Sequence, residues 1–196
     1  MVNIFTLTSQ LHDVASVDDA TRGFLSTLSC EYNFIGEDFS SFCPDEFNLI
    51  FVRTGGTEGI FKDVLSKMSI LPDKFLLLTS GQSNSLAASM EIISYLNNNG
   101  LSAEILHGDT EYINSRISAL EQVASARKRL SSMRLGVIGT PSDWLISSGV
   151  DYAAVKSNLG PALVDIEMSE LLDVYHTIDS GVDCTELLRK AEEKNL

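Results

Sequence analysis

Phe47-Asn48-Leu49-Ile50-Phe51-Val52, followed at once by Arg53-Thr54-Gly55-Gly56-Thr57-Glu58, is the stretch that sets the fold. A strand with one wet face alternates apolar and polar residues. This run hardly alternates, as expected of a strand covered on both faces in a parallel sheet. It leaves through a short exit of hydroxyls and glycines, and a helical pattern then runs to Met68.

The same unit recurs on either side. Upstream, Val2 to Thr8 is β-rich, Val17 to Leu28 is helical with an acidic first turn at Asp18-Asp19, and Tyr32 to Ile35 reads as a second strand. Gly36 to Pro44 reads as a loop with Phe39 and Phe42 packed inward. Downstream, Phe75 to Thr79 is a buried strand, Ser80 to Asn84 a polar turn, and Ser85 to Asn98 an amphipathic helix ending at Gly100, the residue type favoured just past a helix end. Ala103 to Leu106 is a strand, and about Glu111 to Leu130 a long helix. Arg134 to Ile138 and Leu163 to Ile166 are further strands, Ser169 to Ile178 a helix, and Asp183 to Asn195 a last helix without an evident cap.

Strands separated by helices require crossover connections, hence a mostly parallel sheet with helices on both faces. The expected fold is therefore α/β and doubly wound, Rossmann-like or flavodoxin-like. A TIM barrel typically needs about 250 residues, and this chain has 196. One Rossmann-like domain is expected over 1–180, with 181–196 a helix leading towards a further C-terminal region.

The longest apolar runs fall far short of the roughly 20 residues of a membrane helix. The N-terminus lacks the pattern of a signal peptide, and three scattered cysteines make no disulfide framework. These features predict a soluble, cytoplasmic protein that does not bind membranes. A net charge of −13 argues against nucleic acid as a partner. The one basic cluster, Arg127-Lys128-Arg129, falls near a helix end, where the helix dipole favours cations.

Ligands of open parallel sheets bind beyond the carboxyl ends of the strands. The exits are Thr8-Ser9-Gln10, Arg53 to Thr57, Thr79 to Asn84, His107-Gly108-Asp109 and Gly139 to Asp143. For any one of these, capping of the following helix is the fuller account. Together on one edge they point to a polar-ligand rim. Arg53-Thr54-Gly55-Gly56-Thr57 lacks the Lys-Ser/Thr of a phosphate loop and the spacing of a dinucleotide fingerprint. His12, His107 and His176 lie far apart. Asp165 and Glu167, two apart at the end of a strand, share a face and suit either a cation, proton transfer, or a helix N-terminus. No serine or cysteine carries a nucleophile motif. Trp144, the only tryptophan, reads as core or as an aromatic platform for a sugar ring.

Leu135-Gly136-Val137-Ile138-Gly139-Thr140-Pro141-Ser142-Asp143-Trp144-Leu145-Ile146, with Leu163-Val164-Asp165-Ile166 and Glu170-Leu171, resembles the N-terminal region of the L-fucose and L-arabinose isomerase family. Phe5 to Gln10 and Phe75 to Thr79 are similar to the same family. The resemblance implies a metal-dependent aldose–ketose isomerase, with manganese or another divalent ion held by residues from the later part of the chain. It also implies a sugar substrate and a homo-oligomer in which the N-terminal domain lends side chains to a neighbouring active site. On that basis Gln10, Asp143 and Trp144 are candidate substrate-binding residues, and neither catalytic nor metal-binding residues are expected within these 196. Leu11-His12-Asp13 departs from the family's His-Leu-Tyr pattern beside Gln10. The chain is expected to be an inactive N-terminal part of a longer enzyme. The alternative is a stand-alone binding module for a small polar ligand such as a sugar.

Overall fold

A computed structural model describes residues 1–178 and 183–194, which divide into two units, Met1–Lys128 and Arg129–Leu196. The expected domain end at 180 and the tip of the last helix lie outside the described residues.

In the first unit the chain runs β1 (Val2–Leu7), α1 (Val14–Leu25), β2 (Tyr32–Gly36), β3 (Asn48–Val52), α2 (Glu58–Lys67), β4 (Phe75–Leu78), α3 (Ser85–Asn98), β5 (Ala103–Leu106) and α4 (Thr110–Ser132), whose last residues pass the unit boundary. The five strands form one wholly parallel sheet in the order β2-β1-β3-β4-β5. This is the doubly wound, flavodoxin-like arrangement.

Every residue of β3 and β4 is buried, as the unbroken apolar runs require. Alternate residues serve opposite faces. Leu49 and Phe51 join Val2, Ile4 and Leu78 beneath α1 and α4, where Leu25, Ile113 and Ile117 cover them. Ile50 and Val52 join Leu7, Phe75 and Leu77 beneath α2 and α3, where Phe61, Ala88, Ile92 and Leu96 cover them. The crossover from β2 to β3 contains a single 3-10 turn, Phe39–Ser41, in place of a helix. Phe39 and Phe42 fill the position a helix would take, Phe39 stacked on Phe5 at 5.1 Å between ring centroids and Phe42 tilted against it at 5.2 Å. Both were expected to pack inward, and they do.

α1 begins three residues before the expected start. Asp13 accepts a hydrogen bond from the Ser16 amide at 2.9 Å and caps the helix, so Asp18 and Asp19 fall in its body rather than its first turn.

In the second unit, β6 (Arg134–Ile138), α5 (Tyr152–Leu159), β7 (Ala162–Ile166), α6 (Met168–Thr177) and α7 (Thr185–Glu193) follow. The sequence pattern does not distinguish β6 and β7 from the other strands, yet they pair in parallel with each other in a separate two-stranded sheet. The crossover helix α5 was not expected. It is short, capped by the Asp151 side chain on the Ala154 amide (3.0 Å) and closed by Gly160 at φ +98°.

Candidate functional site

The chain leaves β1 towards β2 on one side and returns to β3 on the other, so the sheet reverses direction of growth between β1 and β3. At such a switch point the two exit loops diverge and leave a crevice beyond the carboxyl edge. Here the diverging exits are Thr8-Ser9-Gln10 and Arg53 to Thr57, joined by the exit of β4, Thr79 to Asn84.

Hydroxyls in these loops divide into two sets. One set is buried and knits the loops together. The Ser9 amide donates to Thr54 Oγ1 (2.9 Å), Thr57 Oγ1 to the Thr54 carbonyl (3.2 Å), and Thr79 Oγ1 to Ser85 Oγ (2.7 Å). The Gly55 amide donates to the Ser83 carbonyl at 2.7 Å, tying the β3 exit to the β4 exit. A Cβ on Gly55 would stand 3.0 Å from Asn84 Cβ, and one on Gly56 3.1 Å from Ser9 Oγ. Close loop packing therefore accounts for the two glycines, without any phosphate.

The second set lines a cleft. Ser80, Gln82 and Ser83 of the β4 exit, with Arg53 and with Ser16 and the buried Thr21 of α1, line a cleft of about 100 Å³ between α1 and the β4 exit. That is small beside the several hundred Å³ typical of drug-sized ligands, and suits one end of a small polar molecule. Ser83 and Asn84 have φ of +50° and +59°, the only non-glycine residues in the left-handed region among the described residues. Such backbone costs about 1–2 kcal/mol per residue and clusters at functional loops.

Arg53 is the one charged residue lining the cleft. It continues the Leu49–Phe51 column at the end of β3, and only 9% of its side chain is exposed. Nε donates to Thr21 Oγ1 at 2.8 Å, Nη1 to Thr8 Oγ1 at 3.3 Å, and Nη2 to the half-exposed carboxylate of Asp18. Burying a cation is costly unless it is paired and hydrogen-bonded, and this one is both. Sequence reasoning placed Arg53 in an exit but missed its partner, 35 residues away.

The remaining exits divide between capping and packing. Asp109 caps α4, its Oδ1 accepting from the Tyr112 amide at 2.8 Å. His107 lies over Gly81, where a Cβ would meet Cε1 at 2.7 Å, and its Nδ1 is 3.3 Å from the Thr79 carbonyl.

Of the three candidate substrate residues, Gln10 stands exposed at the exit of β1, in the first unit. Asp143 and Trp144 stand exposed together in the loop after β6, in the second. The core alternative for Trp144 is thereby excluded, since 79% of its surface is exposed. In the same unit Asp165 and Glu167 do share one hollow, of about 290 Å³, with Gly139, Thr140 and Met168. The Asp165 carboxylate accepts a hydrogen bond from Tyr152 Oη, which holds the phenol's pKa above its ordinary value. Glu167 occupies the N-cap position of α6 without a side-chain cap bond. Among the described residues no three His, Cys, Asp or Glu side chains gather in a set that would hold an ion. No helix among the described residues is long and apolar enough to cross a membrane.

No known family profile matches the chain, and no curated protein matches it.

Proposed function

We propose that this chain is the N-terminal, ligand-rim part of an aldose–ketose isomerase of the L-fucose and L-arabinose type, inactive by itself. The observation that carries the reading is the β1/β3 switch point. Three polar exits converge there, an exposed glutamine sits in one of them, and a small cleft whose polar lining is hydroxyls, one amide and the Asp18-paired guanidinium of Arg53 opens beside it. Short neutral donors and acceptors at the carboxyl edge suit a polyhydroxylated ligand. The exposed Gly139-Thr140-Pro141-Ser142-Asp143-Trp144 loop supports the same reading, because an uncovered indole next to a carboxylate offers a sugar a stacking face and a hydrogen-bond acceptor. In this reading Gln10, Asp143 and Trp144 contact substrate, and the protein works in the cytoplasm as a homo-oligomer. The manganese or other divalent ion would be held by residues outside this chain.

The test is an isomerase assay on the purified chain with L-fucose and L-arabinose and added manganese, alongside thermal melts with the same sugars. No turnover is expected, together with a saturable rise in melting temperature, since a ligand that binds only the folded state stabilises it by about 2.7 kcal/mol at one hundred times its Kd. Turnover by this chain alone, or stabilisation by nucleotides and by no sugar, overturns the reading.

A second reading, a stand-alone module for a small polar ligand, is favoured by one observation: every residue lining the cleft belongs to Met1–Lys128. An immunoblot of the native gene product separates the two. A band near 21.4 kDa supports the module, and one at twice that mass or more supports the isomerase.

A further inference from the structure

We propose that the outer edge of β2 is a docking site for an extended segment of another protein, an uncharged stretch flanked by basic residues, which adds a strand to the five-stranded sheet. The surface lies at the margin of the sheet, apart from the residues that line the switch-point cleft.

β2 ends the strand order β2-β1-β3-β4-β5, and among the described residues no strand pairs with its outer side. The Val2 amide donates to the Glu31 carbonyl at 3.1 Å, and Val2, Asn3 and Ile4 stand in register with Tyr32, Asn33 and Phe34. Backbone groups of successive strand residues point to opposite sides, so Glu31 and Asn33 serve β1 while Tyr32 and Phe34 turn their N–H and C=O outwards. An open edge of this kind is a template for strand addition. Proteins guard such edges with charge, and the opposite edge follows that rule, since Glu104 of β5 is paired with Lys74 and Arg116. β2, Tyr32-Asn33-Phe34-Ile35-Gly36, has neither a charge nor a proline, and its Tyr32 and Phe34 rings are 37% and 49% exposed. Both rings lie on one face and offer apolar contacts to alternate side chains of an added strand. Charge then selects the occupant. Exposed Glu31 stands before the strand, and exposed Glu37 and Asp38 after it. A second copy laid antiparallel about a two-fold axis at Phe34 would set Glu31 of each chain opposite Glu37 of the other, and like charges directly opposite are destabilising. A strand with lysine or arginine at both ends meets opposite charge there instead, and is drawn to a chain of net charge −13.

The experiment titrates the full chain against fluorescent peptides, read by anisotropy at about 0.15 M salt. The probe carries alternating valines and threonines between pairs of lysines. Its controls carry pairs of glutamates instead, or N-methyl groups on one or the other alternate set of core amides. The lysine-flanked probe is expected to bind about tenfold more tightly than the glutamate-flanked one. N-methylation of one alternate set should weaken binding about tenfold and that of the other hardly at all, because only one set faces β2. Phe34→Lys, at a half-exposed position, places a cation on the edge and should weaken the lysine-flanked probe about tenfold. Glu31→Lys with Glu37→Lys should reverse the flank preference, whereas Glu192→Lys with Glu193→Lys, an equal change of charge at exposed positions of α7, should leave it in place. No binding of the lysine-flanked probe overturns the proposal. Equal losses from the two N-methyl sets, or equal effects of the two charge reversals, mean diffuse attraction and overturn it as well. So does an intact chain that sediments as a dimer and is dissociated by Phe34→Lys, which makes the occupant a second copy. Should Phe34→Lys fail to fold, the N-methyl comparison on the intact chain still decides.

Discussion

In β3 the side chains from Asn48 to Val52 are all buried, whereas in β6 Leu135 and Ile138 remain 56% and 48% exposed. Both strands are parallel and predominantly apolar, and each is followed by a glycine-bearing exit. They differ in what covers them. β3 lies in the centre of five strands with two helices on each face, whereas β6 has one strand partner, and no residue of the second unit is fully buried among those described. Parallel strands draw their stability from cover on both faces. A two-stranded sheet is at best marginal without such cover. Stability in this chain should therefore be concentrated in Met1–Lys128.

The sharpest way to break that comparison is a matched pair of truncations. Leu77→Ala empties a fully buried site in β4 and is expected to cost about 2–5 kcal/mol. Leu135→Ala on exposed β6 should stay within about 0.5 kcal/mol. Urea titrations of the two variants measure both, and equal losses would refute the contrast. A smaller effect is expected from the ion pairs. Arg53→Met removes charge-assisted bonds to Asp18, Thr8 and Thr21 and should cost about 1–3 kcal/mol. Arg189→Met breaks exposed pairs with Glu186 and Glu193 on α7, where salt bridges contribute about 0–1 kcal/mol, and should be nearly silent.

Hydrogen exchange sharpens the same comparison without mutation. Amides of β1, β3 and β4 should exchange only through global opening, and those of β6 and β7 well before them. The acid limb of stability offers a gentler probe. Hydrogen bonds from Arg116, and less from Lys74, hold the Glu104 carboxylate below its ordinary value near 4.5. A depressed folded-state pKa contributes stability that is present above the unfolded value and lost as pH falls through the folded one. Glu104→Gln should therefore flatten the decline of melting temperature below about pH 4.5 and lower stability at neutral pH. The smallest effect is Gln10→Ala, expected to leave stability within about 0.5 kcal/mol because the side chain is exposed. Its consequence should show in sugar binding.

The sheet was legible because its evidence is local. Unbroken apolar runs such as Leu49 to Val52 and Phe75 to Leu78 declare a strand buried on both faces, and α3 matches its expected bounds, with Gly100 left-handed just past its end. What the sequence hid depends on partners distant in the chain. Apolar content marks β6 and β7 as strands without saying which sheet they join. Asp18 reads as a helix-terminal acid until α1 is seen to start at Val14, which turns Asp18 towards Arg53. The helix α5 had signals at both ends, Asp151 and Gly160, but only eight residues between them, too few for a clear period. Among the exits, composition could not separate Thr54, Thr57 and Thr79, buried in loop-to-loop bonds, from Ser80, Gln82 and Ser83 on the cleft.

The solitary tryptophan has an optical consequence. Trp144 is the chain's only indole and is bathed in solvent, so its native emission should already resemble that of an unfolded peptide and stay almost unchanged while the five-stranded sheet melts. A fluorescence melt would then register little at a temperature where circular dichroism records the loss of the fold. Conversely, any sugar ring or protein surface that settles over the loop after β6 should announce itself as a blue shift against a dark background. The residue is a poor thermometer and a well-placed lamp.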